Sequence, residues 1–236
     1  MNAVSLVYCI LLSIIVILLL STATQATEFR EVNTKVKADD ILKHIENGDD
    51  INLTNCHIVG ELNVSNVKLK TVPNPYFYKM LNEGNDREDL IFCGVKENSR
   101  VIESSITIED SHFENYLDFS YVFFNNSVYF DAVDVNGSTN FMYTIFNSSI
   151  NIEHTGFSDV VDFSNANFND SARFRGTHFN NGIDLSNTNF NVFADFEDTF
   201  FFMVMPPSIK LIFMMPFLTV QIFMMVPVLT VQIFMV

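Results

Sequence analysis

The stretch VVDFSNANFND (160–170), SARFRGTHFNN (171–181), GIDLSNTNFNV (182–192) decides the fold. Each block of eleven has an apolar residue at its fourth and ninth positions: Phe163 and Phe168, Phe174 and Phe179, Leu185 and Phe190. The steps between them alternate five and six residues. The same lattice runs outward in both directions, and nine such units fill 105–203. It collects Ile108, Phe113, Phe119, Phe124, Phe130, Val135, Phe141, Phe146, Ile152, Phe157, then the six residues above, then Phe196 and Phe201. A fixed short period means stacked units, because one unit cannot bury its own apolar face.

The residue two before each lattice position is small or β-branched, apart from Leu117: Ile106, Val122, Thr144, Ala166, Thr177, Thr188 and Ala194 are examples. Residues two apart on an extended strand point the same way, so both members of the pair face inward. The residue between them is mostly polar, as at Asp118, Asn140, Asp162, Asp184, Asp195 and His178, and faces out.

This unit resembles the pentapeptide-repeat family, in which a small residue, Asn or Asp, Leu or Phe and two polar residues recur. Ala166-Asn167-Phe168-Asn169-Asp170 and Thr188-Asn189-Phe190-Asn191 match directly. The resemblance is strong over 105–203 and weaker over 50–71. It implies an all-β fold, a right-handed quadrilateral β-helix (solenoid) with inward Leu or Phe stacked in ladders. The chain departs from the plain pattern by one extra residue in every second five-residue unit, an insertion able to bulge the same corner of every coil. Two units of eleven then make a coil of 22. Each ring buried in the ladder contributes about 2 kcal/mol.

Around this run the chain divides further. Residues 27–49 are a lead-in that ends in an amphipathic helix, where Asp39 or Asp40 caps the start, Ile41, Leu42 and Ile45 share a face, and Gly48 ends it. Its expected task is to cover the open end of the first coil. Residues 50–71 place Leu53, Ile58, Val64 and Leu69 on the lattice. Residues 72–104 break it with Pro73, Pro75 and a charged cluster from Asn82 to Asp89, and read as an excursion from the coil.

The flanks are different in kind. Residues 1–26 read as a signal peptide or an N-terminal anchor: Leu6–Leu20 is almost wholly apolar, and Thr24-Gln25-Ala26 offers a small-residue cleavage site. Secretion or display at the cell surface follows, anchored if the segment is retained. Residues 204–236 form a hydrophobic tail in which Leu218–Met224 recurs as Leu229–Met235, eleven residues on. Shifted by one base, codons for this tail yield Ser-Asn-Gly-Ala-Asn-Phe, so we read it as repeat DNA in the wrong frame. A C-terminal anchor is the competing reading, since Pro216–Val236 is long enough to span a bilayer.

Composition excludes some functions. Asp and Glu number 28 against 13 Lys and Arg, a net charge of −15, which repels nucleic acid. The expected partners are an unidentified protein, a membrane reached through residues 6–20 or the tail, and a second copy end to end. No cofactor, metal or catalytic set is read from the residues. His112 and His178 share a column three coils apart, too far to share a metal, and His154 lies in another column. Asp118, Asp162, Asp184 and Asp195 share one position of the unit, interrupted by Tyr129, Asn140, Asn151 and Arg173, and read as a solvated face. Asn125, Asn136, Asn147, Asn169, Asn180 and Asn191 read as an amide ladder at a corner, or as glycan acceptors where Ser follows. Asn52 and Asn63 are the better glycosylation candidates. Cys56 and Cys93 remain after signal removal, either paired in a disulfide or as two buried thiols.

The functional expectation is a non-enzymatic exported scaffold or binding surface at the cell envelope. Some relatives with the resemblance are acidic rods similar to duplex DNA that occupy the DNA site of gyrase. That makes an acidic DNA-mimic inhibitor the alternative, along with a membrane-anchored surface protein.

Overall fold

A computed structural model describes residues 27–201, together with the backbone of 211–214, 218–220 and 231–234. The leader expected at 1–26 lies outside the described residues, as does most of the tail.

Four parallel sheets wrap one core, and the chain visits them in order, once per coil. The first face stacks Asp50–Thr54, Ile106–Glu109, Val128–Asp131, Ile150–Glu153, Ala172–Arg173 and Ala194–Phe196. The second holds His112–Phe113, Asp134–Val135, Gly156–Phe157 and His178–Phe179. The third holds Leu117–Asp118, Thr139–Asn140, Val161–Asp162 and Ile183–Asp184. The fourth holds Val122–Phe124, Ile145–Phe146, Asn167–Phe168 and Asn189–Phe190. Register advances by 22 residues throughout: Val128 pairs with Ile106 below and Ile150 above, and Phe146 with Phe124 and Phe168. This is the four-sided β-helix that the family resemblance implies.

Burial alternates along each strand as the pattern requires. Val128–Asp131 reads buried, half-buried, buried, half-buried. Every lattice residue from Phe113 to Phe196 is at most 3 % exposed. On the third and fourth faces the rings stack nearly parallel: Phe141 on Phe163 at 4.8 Å and 8°, Phe146 on Phe168 at 4.8 Å and 7°.

The cross-section of the tube holds three rings and one aliphatic side chain. The four inward lattice residues are Ile108, Phe113, Phe119, Phe124 in one coil, then Phe130, Val135, Phe141, Phe146, then Ile152, Phe157, Phe163, Phe168, then Phe174, Phe179, Leu185, Phe190. The aliphatic residue moves from face to face, but each of these coils keeps one. A core packed to crystal-like density has room for one ladder to step back, not for a fourth ring.

The alternation of five and six residues sets the corners. The extra residue widens two opposite corners of each coil, second-to-third and fourth-to-first, where the sequence reading placed it at one. The tight corners each turn through a residue with positive φ. Asp110, Ala132, His154, Gly176 and Asp198 do so between the first and second faces, and Tyr121, Tyr143, Asn165 and Asn187 between the third and fourth. Before the latter corner Asp118, Asn140, Asp162 and Asp184 each accept a hydrogen bond from the backbone N–H two residues on, at 2.7–2.9 Å. That local bond is why the position is Asp or Asn.

The lead-in is more than a cap. Glu28–Val32 and Lys35–Lys37 already pair with Asp50–Thr54 and His57–Val59, so the first two faces begin at Glu28. Helix α1 (Ala38–Asn47) then lies across the open end, with Ala38, Ile41, Leu42 and Ile45 buried in the cluster that contains Leu53, Ile58 and Leu62. Gly48 ends it in the left-handed conformation at φ 81°, its N–H donating to the Ile45 carbonyl and the Asp49 N–H to that of His44. Its N-cap is Lys37, with no side-chain cap; Asp39 and Asp40 sit inside the first turn, favourable to the helix dipole but not capping.

The excursion is folded and shorter than the broken lattice suggests. The coil at 50–63 stacks directly on the one at 106–118, with Ile51 opposite Ile106 and Leu62 opposite Leu117. Its fourth face is supplied by Asn98–Ile102, which pairs with Val122–Phe124. Ile102 is fully buried there, while Leu69, expected on the lattice, is only partly buried. Between the two pieces lie helices α2 (Pro75–Asn82) and α3 (Arg87–Phe92) around a small core of Phe77, Leu90 and Val95. Asn74 caps α2 by accepting from Tyr76 N–H, with Pro75 at the first helical position, and Asp86 caps α3.

The described parts of the tail are strands. Leu211–Met214 and Val231–Phe234 extend the fourth sheet and Leu218–Val220 extends the first. The advance is no longer 22: Phe190 pairs with Phe213, and Asp195 with Thr219. No helix among the described residues is long and apolar enough to cross a membrane.

Candidate functional site

The insertion sits on the fourth face, and the outward residues there explain why. Reading along the stack they are Val101, Phe123, Ile145, Asn167 and Asn189. The first three are apolar on a surface that is polar elsewhere. Val101 and Ile145 are each 8 % exposed under the insertion. The Tyr121 hydroxyl donates to the Gly94 carbonyl at 3.0 Å, and Lys96 Nζ lies 4.8 Å from the centre of the Tyr121 ring. Tyr143 stacks on Tyr121 at 4.8 Å, and Tyr76 of α2 packs on Tyr143 at 4.7 Å. Burial holds the Tyr121 phenol at a pKa of about 12. Burial first, then Tyr76 and Tyr121, raises that of Tyr143.

Where α2 ends its cover, a groove of about 600 Å³ opens between the helix and the rod. Tyr76, Lys79, Met80 and Glu83 form one wall. Phe123, Tyr143 and Ile145 form the floor, and Asn165, Asn167, Asn169, Asn187 and Asn189 continue it along the stack. The amides hold one another: Asn189 Nδ2 donates to Asn167 Oδ1 at 3.0 Å, Asn187 Nδ2 to Asn165 Oδ1 at 3.3 Å, and Asn191 Nδ2 to Asn169 Oδ1 at 2.9 Å.

The residues singled out from sequence fall as follows. The core ladder lines the four inward columns. Of the corner asparagines, Asn125, Asn147, Asn169 and Asn191 form one ladder, while Asn136 and Asn180 belong to the opposite corner, where Ser158 separates them and Asn136 meets His112 at 3.2 Å. The acidic position divides between two faces. Asp118, Asp162 and Asp184 stack on the third with Asn140, whereas Asp195 stacks over Arg173 on the first. A period of eleven in a coil of 22 superimposes opposite faces, which is why one sequence column hid two structural ones.

Asn52 and Asn63 both face outward on strands, and both amides are engaged, Asn52 with Glu28 at 2.7 Å and Asn63 with Ser65 N–H at 2.8 Å. Cys56 and Cys93 are not bonded to each other. Cys56 is buried in the wall between the first and second faces, where its thiol donates to the Glu31 and Thr54 carbonyls at 3.4 Å. Cys93 is exposed on the insertion, on the opposite side of the tube. Neither the disulfide nor the pair of buried thiols describes them. His57 and His112 meet at 5.5 Å, a neighbour relation hidden in sequence by the insertion between them. No group of three metal-ligating side chains occurs among the described residues.

Residues 152–199, which make the coils with the fullest set of Thr and Asx corner bonds, match the family described as Pentapeptide repeats (9 copies). These coils are pentapeptide repeats. No curated protein and no solved structure matches it. The groove lies where the pentapeptide-repeat rod meets its insertion. Sequence reasoning passed over it, although Phe123 and Ile145 at outward positions and Tyr121 and Tyr143 at a corner otherwise filled by Asn were its signal.

Proposed function

We propose that this protein is a non-enzymatic, exported rod of pentapeptide repeats that serves as a structural or protein-binding scaffold at the cell envelope. One observation carries the reading: the polar side chains of the wall are spent on the wall itself. Asp118, Asp162 and Asp184 close corner turns, and Asn125, Asn147, Asn169 and Asn191 bond to one another along the stack. Side chains fixed in this way make a rigid, regular surface and not a convergent set of acid, base and nucleophile. The apolar run Leu6–Leu20 and the small residues before Thr27 support export. The test is to fractionate the native cell and sequence the N-terminus of the protein. A mature end near Thr27 in the envelope or medium is expected; an intact Met1 in the cytosol overturns the reading. An intact Met1 in the membrane fraction identifies the anchored form.

The acidic columns favour a second reading, a DNA mimic acting on an enzyme such as gyrase. Asp118, Asp162 and Asp184 stack on the third face, and Glu109, Asp131, Glu153 and Glu197 lie on the first. With the other Asp and Glu of 105–203 the run carries 14 acidic residues against two Arg in four and a half coils, about three carboxylates per coil. A duplex presents one charge per ~1.7 Å of axis, and so nearly three per coil rise of ~4.8 Å. Arg173 and Arg175 interrupt the first-face columns as well. The total density is close to that of a duplex, but the carboxylates are divided between opposite faces with Arg among them, and the apolar run Leu6–Leu20 supports export away from a cytosolic target, so the scaffold is the better fit. Supercoiling by gyrase that continues in the presence of excess protein removes the mimic.

A further inference from the structure

The groove over the fourth face has a chemistry unlike the rest of the molecule. In a chain of net charge −15 its lining holds one cation and one anion, Lys79 and Glu83, which lie 4.0 Å apart on successive turns of α2. The remaining polar groups are neutral amides and hydroxyls. Such a lining has no net charge with which to select an anion or a cation.

Its aromatic part is held at a cost. Tyr143 sits in the left-handed region at φ 56°, while the equivalent residues of the next two coils are Asn165 at 59° and Asn187 at 57°. Asn tolerates that conformation, but a residue with a bulky side chain is an outlier there, at a cost of about 1–2 kcal/mol. Tyr121, Ala132 and His154 adopt the same conformation at other tight corners, so the coil sets the backbone and the choice of side chain is what differs at this corner. Here the side chain is a half-buried phenol at the groove floor, braced from behind by Tyr121 and facing Tyr76.

The amide part is preorganised. Asn187 to Asn165 and Asn189 to Asn167 are tied in adjacent coils, so each side chain is fixed before any ligand arrives. An amide has two N–H groups and two acceptor lone pairs. Asn167 Oδ1 also accepts from Asn191, Asn167 Nδ2 donates to Asn169, and Asn189 Nδ2 also donates to Asn191, so what this row still offers is one N–H of Asn167, the side-chain carbonyl of Asn189, and the remaining N–H groups and lone pairs of Asn165 and Asn187. Vicinal hydroxyls, which also donate and accept side by side, match that row. The apolar C–H face of a pyranose matches the flat ring beside it.

A peptide fits less well. Strand addition needs an open edge, and the backbone of Asn167–Phe168 is already paired with the coils on both sides.

We propose that the groove between α2 and the fourth face binds a neutral oligosaccharide, with Tyr76, held in place by Tyr143, stacking on a sugar ring and the free amide groups of Asn165, Asn167, Asn187 and Asn189 bonding its hydroxyls. The inference does not depend on where the protein resides or on the scaffold reading.

The test is calorimetric titration of the full chain with neutral hexasaccharides of glucose, N-acetylglucosamine and mannose in both α and β linkage. Hexaglycine and a sulfated polysaccharide serve as probes of the other classes. Binding by at least one neutral hexasaccharide is expected. Tyr143→Asn places at this corner the residue its neighbours carry, so the rod stays folded; it should weaken that binding tenfold or more, while Tyr143→Phe retains it. Asn187→Asp, an exposed change of charge without change of shape, should also weaken it severalfold. The proposal is overturned if no neutral hexasaccharide binds, if only the peptide or the sulfated polymer binds, or if Tyr143→Asn and Asn187→Asp both bind as the parent does.

Discussion

The Thr188 hydroxyl donates to the carbonyl of Phe163, 2.7 Å away and 25 residues earlier in the chain. Thr144 does the same to Phe119 and Thr199 to Phe174, each at 2.7 Å, and Thr177 reaches Ile152. All four lie at tight corners, inside the tube, and each stitches one coil to the coil beneath. Thr139 stands in the corresponding position at a wide corner, and its buried hydroxyl has no partner. The extra residue there leaves the Thr hydroxyl without a carbonyl, which is why Ile, Val, Leu and Ala otherwise fill those positions.

Opposite outcomes are expected from one substitution at the two kinds of corner. Thr188→Val removes a stitch and should cost about 0.5–1.5 kcal/mol, whereas Thr139→Val relieves a buried unpaired hydroxyl and should stabilise by about 1 kcal/mol. Chemical denaturation of the two variants measures both. Equal signs would show that corner geometry does not govern the hydroxyl.

The three-ring cross-section limits what the core accepts. Phe168 lies between Phe146 at 4.8 Å and Phe190 at 4.6 Å with no exposed surface. Phe168→Ala should cost about 3–5 kcal/mol. Leu185→Phe adds a fourth ring to its coil and should cost about 1–3 kcal/mol despite the gain in apolar area. A stabilised Leu185→Phe, read by the same denaturation, would contradict the packing limit.

Two glycines at wide corners should respond differently to alanine. A Cβ at Gly137 would lie 2.4 Å from the Tyr116 backbone N of the coil below. Backbone cannot step aside as a side chain can, so Gly137→Ala should cost about 3 kcal/mol. Gly182 has open space but φ +103°, and Gly182→Ala should cost about 1–2 kcal/mol from backbone strain alone. Thermal melting separates the two.

Alkali should loosen the insertion. The Tyr121 phenol has its pKa raised to about 12 by burial, above the ordinary value of 10.0. The stability that goes with the neutral form is therefore complete below pH 10 and is lost as pH rises through about 12. Phenolate absorbance should show Tyr121 titrating late, together with loss of protection in α2 and α3. Tyr121→Phe should remove this alkaline loss and, at neutral pH, weaken the contact with Gly94.

The rod was legible because its information is periodic. Eighteen apolar positions at steps of five and six state an inward column, and the small residue before each states a strand. The amphipathic pattern of α1 was equally plain. The insertion was not, since Phe77, Leu90 and Val95 form too small a core to leave a period, and only Asn74-Pro75 and Asp86 marked its helices. The return of Asn98–Ile102 to the fourth face was obscured because Leu69 satisfies the lattice count as well as Ile102 does. Only the stacking of Ile51 on Ile106 chooses between them.

Sequence alone determined the coil, its length of 22 and the residues inside it, because a repeating apolar pattern has one way to bury itself. The tertiary structure decided which repeats become neighbours. It set His57 against His112, separated Asp195 from Asp184, kept Cys56 and Cys93 apart, and laid α2 across Phe123 and Ile145 to make a groove. Those relations join residues far apart in the chain, and they arise from where the insertion leaves and rejoins the wall, a matter of three-dimensional closure that no local pattern encodes.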